Sequence, residues 1–229
     1  VVRADRTIVD SSKPCAVRLE QIYAPSIELT RSVTARVTLR RRVAAAPGTP
    51  PAGAPAAASP APDVVVKEFG TFEGVSRDLR DAPFLVELDL SGVEDGSYRV
   101  RVEVMDREKP LGAASLTVVL RKNLDDRLRA IESAAAALPD AVRSEVLYPA
   151  DYIHGVNLSR VGLGAFDLAK ELALAEETLA ATKGGKDPFA ARTGDIKRHY
   201  LFKPAGEILP YRTYVPTTYD GKRPYPLVI

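Results

Sequence analysis

Two histidines, His154 and His199, and a single cysteine, Cys15, are the side chains of this chain best suited to metal or nucleophilic chemistry. Neither histidine has a Cys, His or carboxylate partner at a ligand spacing such as H-x-x-x-H or C-x-x-C. His154, in Tyr152-Ile153-His154-Gly155, reads as a loop or packing residue between two helices. His199 reads as a structural residue at the start of a strand. One cysteine excludes an internal disulfide. A serine nucleophile of the sharp-turn type needs G-x-S-x-G. Gly74-Val75-Ser76-Arg77-Asp78 lacks the second glycine, and Ser159 has no flanking glycines. Gly162-x-Gly164 is a lone glycine pair, read as a helix-entry turn, and no phosphate loop or dinucleotide fingerprint exists. Asp187, Asp195 and Glu207 read as turn carboxylates without evident partners. No catalytic, cofactor-binding or metal-binding residue is therefore assigned, and no cofactor is expected.

Charge narrows the partners. The net charge is +2, with 27% charged residues of mixed sign and 45% hydrophobic residues. A nucleic-acid footprint needs basic residues gathered on one face. Arg40-Arg41-Arg42 is the one dense basic run, and it reads as a solvated strand end. No stretch approaches the ~18 apolar residues of a membrane span.

The elements that must position these residues are set by periodicity. Val33, Ala35, Val37 and Leu39 alternate with polar neighbours. So do Phe84, Val86, Leu88 and Leu90, and again Tyr98, Val100, Val102 and Val104. A period of two with one apolar face marks half-buried antiparallel strands. Weaker candidates are Thr7–Val9, Cys15–Gln21, Val64–Phe72 and Ser115–Leu120. About seven strands before residue 122 suit an immunoglobulin-like β-sandwich. Glu94-Asp95-Gly96-Ser97-Tyr98 resembles a shortened tyrosine corner, whose hydroxyl bonds back to the backbone upstream. Residues 44–62 are an Ala/Pro/Gly tract, expected to be a flexible loop inserted within one sandwich.

From Asn123 the pattern turns helical. Asn123 is a candidate N-cap, with Asp125 and Asp126 in the first turn and Leu124, Leu128 and Ile131 on one face. Pro139 is expected to open a second helix, 140–148, closed by Pro149. A third helix is expected over 163–183, with an apolar stripe of Leu163, Phe166, Leu168, Leu172, Leu174 and Leu179, ended by Gly184-Gly185. The expected domains are thus 1–122, a sandwich; 123–197, a helical connector; and 198–229, the start of a new sheet.

That last stretch holds three short strand candidates joined by turns: Arg198–Phe202, Leu209–Val215, and Leu227-Val228-Ile229. Leu209-Pro210-Tyr211-Arg212-Thr213-Tyr214-Val215-Pro216, then Tyr219-Asp220-Gly221 and Pro224-Tyr225-Pro226-Leu227-Val228-Ile229, resembles the opening of secreted α/β-hydrolase esterases. That family comprises polyhydroxybutyrate-depolymerase-like and feruloyl-esterase-like enzymes related to prolyl oligopeptidases. The resemblance covers residues 198–229 and implies that the chain enters a truncated α/β-hydrolase sheet. It implies an oxyanion loop and a Ser-Asp-His triad beyond Ile229, so no catalytic residue carries over. It further implies a secreted or periplasmic parent whose signal peptide lies outside this chain, and its own hydrolase domain as partner, with a homo-oligomer left open. A non-catalytic immunoglobulin-like binding or adhesion module is the alternative. A polymer-gripping domain is a third reading, for which the absence of Trp and 7% aromatics is poor material.

Overall fold

The computed structural model describes residues 2–20, 32–42, 63–76, 83–164, 166–189 and 192–221. They form a mostly β-sheet protein with three helices, divided into two compact units, Val1–Leu124 and Asp125–Ile229. The Ala/Pro tract 44–62 and the expected strand at Leu227–Ile229 lie outside the described residues.

The described residues of the first unit form eight strands: β1 (Val2–Ala4), β2 (Ile8–Asp10), β3 (Cys15–Leu19), β4 (Ser32–Arg42), β5 (Asp63–Ser76), β6 (Phe84–Leu88), β7 (Gly96–Asp106) and β8 (Lys109–Arg121). They make a three-stranded sheet, β1-β3-β6, and a five-stranded one, β2-β8-β7-β4-β5. Among the described residues, only the β2–β8 pair is parallel. Both sheets contribute to one core. Val33, Ala35, Val37 and Leu39 of β4 and Val100, Val102 and Val104 of β7 are buried in the same cluster as Val17 and Leu19 of β3 and Val86 and Leu88 of β6. Each such side chain withdrawn from water contributes roughly 1.5–3 kcal/mol, which is what the alternating pattern secures.

All seven expected strand regions are present. Strand β1 is not among them, because three residues carry no usable period. Strand β8 begins at Lys109 rather than Ser115. Its first half, Lys109-Pro110-Leu111-Gly112-Ala113-Ala114, has little strand character of its own. Pairing with β7, from Asp106↔Lys109 onward, supplies what the local sequence lacks.

The Asp95-Gly96-Ser97-Tyr98 segment is one local device. The Tyr98 hydroxyl donates to the Glu94 carbonyl at 2.9 Å, and its ring is buried. A Cβ at Gly96 would lie 3.2 Å from that ring, so the glycine makes room for it. Asp95 Oδ1 accepts the backbone N–H of Lys122 at 2.8 Å, tying β8's end to β7's start.

The described elements of the second unit are α1 (Leu124–Ala135), whose first residue closes the first unit, α2 (Asp140–Asn157), α3 (Leu168–Lys183), β9 (Gly194–Phe202) and β10 (Glu207–Val215). Three helix expectations change. Asn123 takes φ 56°, a left-handed conformation that Asn tolerates, rather than the extended one of an N-cap. Helix α2 does not stop at Pro149 but runs through it to Asn157. An internal proline removes one backbone bond, here to the Glu145 carbonyl, and costs ~3 kcal/mol. Burial of Val146, Tyr148, Pro149, Ala150, Ile153 and Val156 on both sides offsets it. Helix α3 starts at Leu168, five residues late, because Asp167 accepts the Lys170 N–H as N-cap. Its buried face is Leu168, Leu172, Ala175 and Thr178, while Leu174 is exposed. Gly184 follows the helix as expected.

Strands β9 and β10 form an antiparallel hairpin running from Phe202↔Glu207 to Gly194↔Val215. The turn at Lys203-Pro204-Ala205-Gly206 is where the sequence places it, with Gly206 at φ 67°. Strand β10 ends just before Pro216.

Candidate functional site

A dense polar cluster lies in the second unit, where side chains of α2 and α3 meet β9. Glu145 of α2 is its centre. Its side chain is 8% exposed and accepts from Arg198 Nε, from the His199 backbone N–H at 3.0 Å and from His199 Nδ1–H at 2.7 Å. Burial pushes the Glu145 carboxyl up, but the bonds from His199 and Arg198 outweigh it and hold the group below its ordinary range. The adjacent Lys197 donates to Glu171 of α3 at 2.7 Å and sits 4.5 Å over the Tyr148 ring. Arg198 also stacks on Phe189, its guanidinium 3.6 Å from the ring centre.

Three consecutive basic residues, Lys197-Arg198-His199, are thus fastened to helices more than twenty positions away in the chain. A second carboxylate of α2, Asp151, accepts the Ile208 N–H of β10 at 3.2 Å. The helix supplies acceptors to hairpin N–H groups that the two-stranded ladder leaves over.

Aromatic rings frame the cluster. His199 stacks on Tyr148 at 3.8 Å, and Tyr152 stacks on Phe166 at 4.0 Å. The Tyr152 hydroxyl donates to the Gly162 carbonyl at 2.8 Å, which pins the α2–α3 connection. Burial raises the Tyr148 phenol while Lys197 pulls it the other way. With its Nδ1 engaged, His199 keeps one further nitrogen. Nε2 is buried and has no hydrogen-bond partner among the described residues.

Of the residues singled out from sequence, His199 lies in the middle of β9 rather than at the start of a strand, because β9 begins at Gly194; it is 7% exposed and bonded to Glu145. His154 lies inside α2 rather than in a loop, because the helix passes Pro149; its side chain is exposed, 3.7 Å from Glu132. Asp195 is a strand residue, not a turn carboxylate, and it has a partner: Arg212, across the hairpin at 2.9 Å. That guanidinium holds the Asp195 carboxyl below its usual range. Asp187 accepts the Phe189 N–H at 2.8 Å in a local turn. Ser159 takes φ 58° just after α2. Gly162 and Gly164 belong to the connection preceding α3, Gly164 at φ 49°. Arg40, Arg41 and Arg42 end β4, with Arg41 3.6 Å from Glu94 and 6.0 Å from the Tyr98 ring centre. Cys15 is buried in the first unit's core; burial chiefly, with Asp5 adding, pushes its thiol up to about 11. Such a thiol is a packing group rather than a nucleophile.

Glu145, Tyr148, Glu171 and Lys197 are not legible as site residues from sequence. The available signal is Glu145 and Tyr148 three apart on one helix face, facing a Lys-Arg-His run. Linking the two requires knowing a pairing across 54 positions.

No group of three or more His, Cys, Asp or Glu side chains suited to a metal occurs among the described residues, and no described helix is long and apolar enough to cross a membrane. The cluster fastens a hairpin around a buried imidazole, and among the described residues no nucleophile is bonded to that imidazole. No protein-family model, curated protein or solved structure matches the chain.

Proposed function

We propose that this chain is the non-catalytic N-terminal portion of a secreted or periplasmic serine carboxylic-ester hydrolase. An immunoglobulin-like sandwich and a helical connector precede the first hairpin of an α/β-hydrolase sheet. The observation that carries the reading is the β9–β10 hairpin. Its second strand bears the Tyr211-Arg212-Thr213-Tyr214-Val215-Pro216 run and stops at the proline, with Asp220-Gly221 following. Support for the immunoglobulin-like part comes from strand order. With β1, β3 and β6 as A, B and E, and β4, β5, β7 and β8 as C, C′, F and G, the three-stranded sheet reads A-B-E and the five-stranded one C′-C-F-G, with the short β2 added in parallel beside G. Tyr98 then lies near the start of F, where a tyrosine corner belongs.

In this reading the units present are scaffold. The parent enzyme attacks a carboxylic ester with a serine activated by His and Asp, and backbone amides stabilise the oxyanion. Peptide hydrolysis is the nearest variant. The coding sequence past Ile229 tests the proposal: it is expected to read His-Gly within a few residues and G-x-S-x-G about a hundred further on. A coding sequence without either motif overturns it. The 229-residue chain is expected to hydrolyse p-nitrophenyl acetate no faster than buffer. Turnover abolished by a serine-directed inhibitor would show that the chemistry is already inside this chain.

A binding module without enzymatic role is the second reading. It draws on Val64, Val65 and Val66, exposed on the edge strand β5. Bulges interrupt that strand's pairing with β4, which weakens it as a template for a further strand.

A further inference from the structure

The five-stranded sheet of the first unit turns one face away from the core, and the pairing register decides what that face carries. Leu39↔Val100, Val37↔Val102 and Ala35↔Val104 point inward. Their neighbours Arg40↔Arg99, Thr38↔Arg101 and Arg36↔Glu103 therefore point outward, and so does Arg42 by alternation. Five arginines from two distant segments, Arg36, Arg40, Arg42, Arg99 and Arg101, share one face. The sequence alone shows only the run at 40–42.

That gathering is costly as it stands. Like charges directly opposite each other, as at Arg40 and Arg99, destabilise a sheet. Asp63 answers Arg99 at 2.8 Å, and Glu103 answers Arg101 at 2.9 Å. Arg41, on the other side of β4, lies 3.6 Å from Glu94. The Arg40 Nε–H donates to the Thr38 hydroxyl at 3.2 Å. Among the described residues no carboxylate pairs with Arg36, Arg40 or Arg42, and Glu68, opposite Thr38, forms no ion pair with them.

Beside these cations stands an independent feature. Val64, Val65 and Val66 open the edge strand β5, and they are 51%, 39% and 45% exposed. Val65 is the register partner of Arg40 and Val64 of Arg41. Three successive exposed valines thus adjoin the arginines at one end of the β4–β5 pair. A strand from another chain is a poor occupant for this edge, because three register shifts interrupt β5. A nucleic acid fits no better. The outward residues of β4 and β7 include no aromatic ring for bases to stack on, and a polyanion in water leaves the valines unused. A phospholipid surface presents anionic groups above hydrocarbon, and so meets both features at once.

We propose that this end of the sandwich is a peripheral contact site for an anionic phospholipid surface. Arg40, Arg42 and Arg36 meet the headgroups, and Val64, Val65 and Val66 enter the boundary between headgroups and acyl chains. Long arginine side chains reach headgroups while their stems stay among carbon, which lets the two sets act at one depth. The contact is independent of the esterase reading, since it uses only residues of the first unit.

The test is co-sedimentation of the full chain with phosphatidylcholine vesicles, with and without phosphatidylglycerol. Binding is expected only with phosphatidylglycerol, and it should fall steeply as salt is raised. Arg40→Gln/Arg42→Gln should weaken it at least about tenfold. Val64→Ser/Val66→Ser should weaken it at least about threefold. Arg160→Gln/Lys186→Gln removes the same charge from the second unit and should leave binding as it is. All six positions are exposed or half-buried at the surface, and an unchanged thermal midpoint checks each fold. Without any substitution, a spin-labelled lipid should broaden the methyl resonances of Val64, Val65 and Val66 before those of Val161, an equally exposed valine of the second unit. Failure to bind phosphatidylglycerol vesicles, equal loss in the Arg160→Gln/Lys186→Gln variant, or broadening that starts at Val161 would each overturn the proposal. Vesicle binding that ignores the valine substitutions would mean a plain polyanion contact and would overturn it too.

Discussion

The two units hold their parts together by different means. In the first, strands from two sheets meet through aliphatic side chains, and Leu39, Leu88 and Leu120 are wholly buried. In the second, the β9–β10 hairpin is fastened to helices by buried or half-buried charges: Glu145 with Arg198 and His199, Glu171 with Lys197, and Asp151 with the Ile208 amide. Hydrophobic burial is non-directional and insensitive to pH. A buried carboxylate is directional, and its value depends on every partner being present. The second arrangement is therefore the more specific and the more fragile.

The largest effect should come from breaking that arrangement at its centre. Glu145→Ala leaves the His199 ring, the His199 amide and Arg198 without their acceptor. It should destabilise the second unit by about 3–5 kcal/mol. Chemical denaturation monitored by resonances in each unit should show loss in the second and none in the first. Equal loss in both would mean that the units do not unfold separately. Leu39→Ala is the counterpart in the first unit and should cost about 2–5 kcal/mol through the cavity it leaves. A cost below about 1 kcal/mol would show that the sandwich core repacks freely.

pH should separate the units next. The Glu145 carboxyl lies below its unfolded value, so its contribution is present above about pH 4.3 and is lost as pH falls through the lower folded value. Acid should loosen the second unit first, visible as early loss of amide protection at His199. A first unit that melts earlier in acid would contradict the contrast. Tyr98→Phe should have a smaller effect, about 0.5–3 kcal/mol, by removing the hydroxyl bonded to Glu94. An unchanged denaturation midpoint would show that the corner is held by its ring alone. The mildest expectation concerns Cys15. Its buried thiol, pushed up to about 11, should resist thiol reagents at neutral pH until the first unit unfolds.

Legibility differs between the units for the same physical reason. The alternation in β4, β6 and β7 is a local code: every second residue faces the core, so the pattern names both the strand and its buried face. The Tyr98 corner is legible because its hydroxyl bond closes locally, on the Glu94 carbonyl four residues upstream. The end of α2 is not, because a proline's local penalty carries no trace of the burial that overrides it. Asp195 looks unpartnered along the chain, because Arg212 becomes its neighbour only through the hairpin register.

The sequence by itself determined the sites of seven of the first unit's strands, the presence of three helices, the turn at 203–206 and the end of β10 at Pro216. These are products of side-chain periodicity and of backbone groups that Pro and Gly lack or free. Tertiary structure alone decided that α2 continues through Pro149, that β8 begins at Lys109, and that Lys197, Arg198 and His199 meet Glu171 and Glu145. Those outcomes rest on pairings between distant segments, where free energy comes from burial and from desolvated charge. Neither leaves a mark in the local spacing of residues.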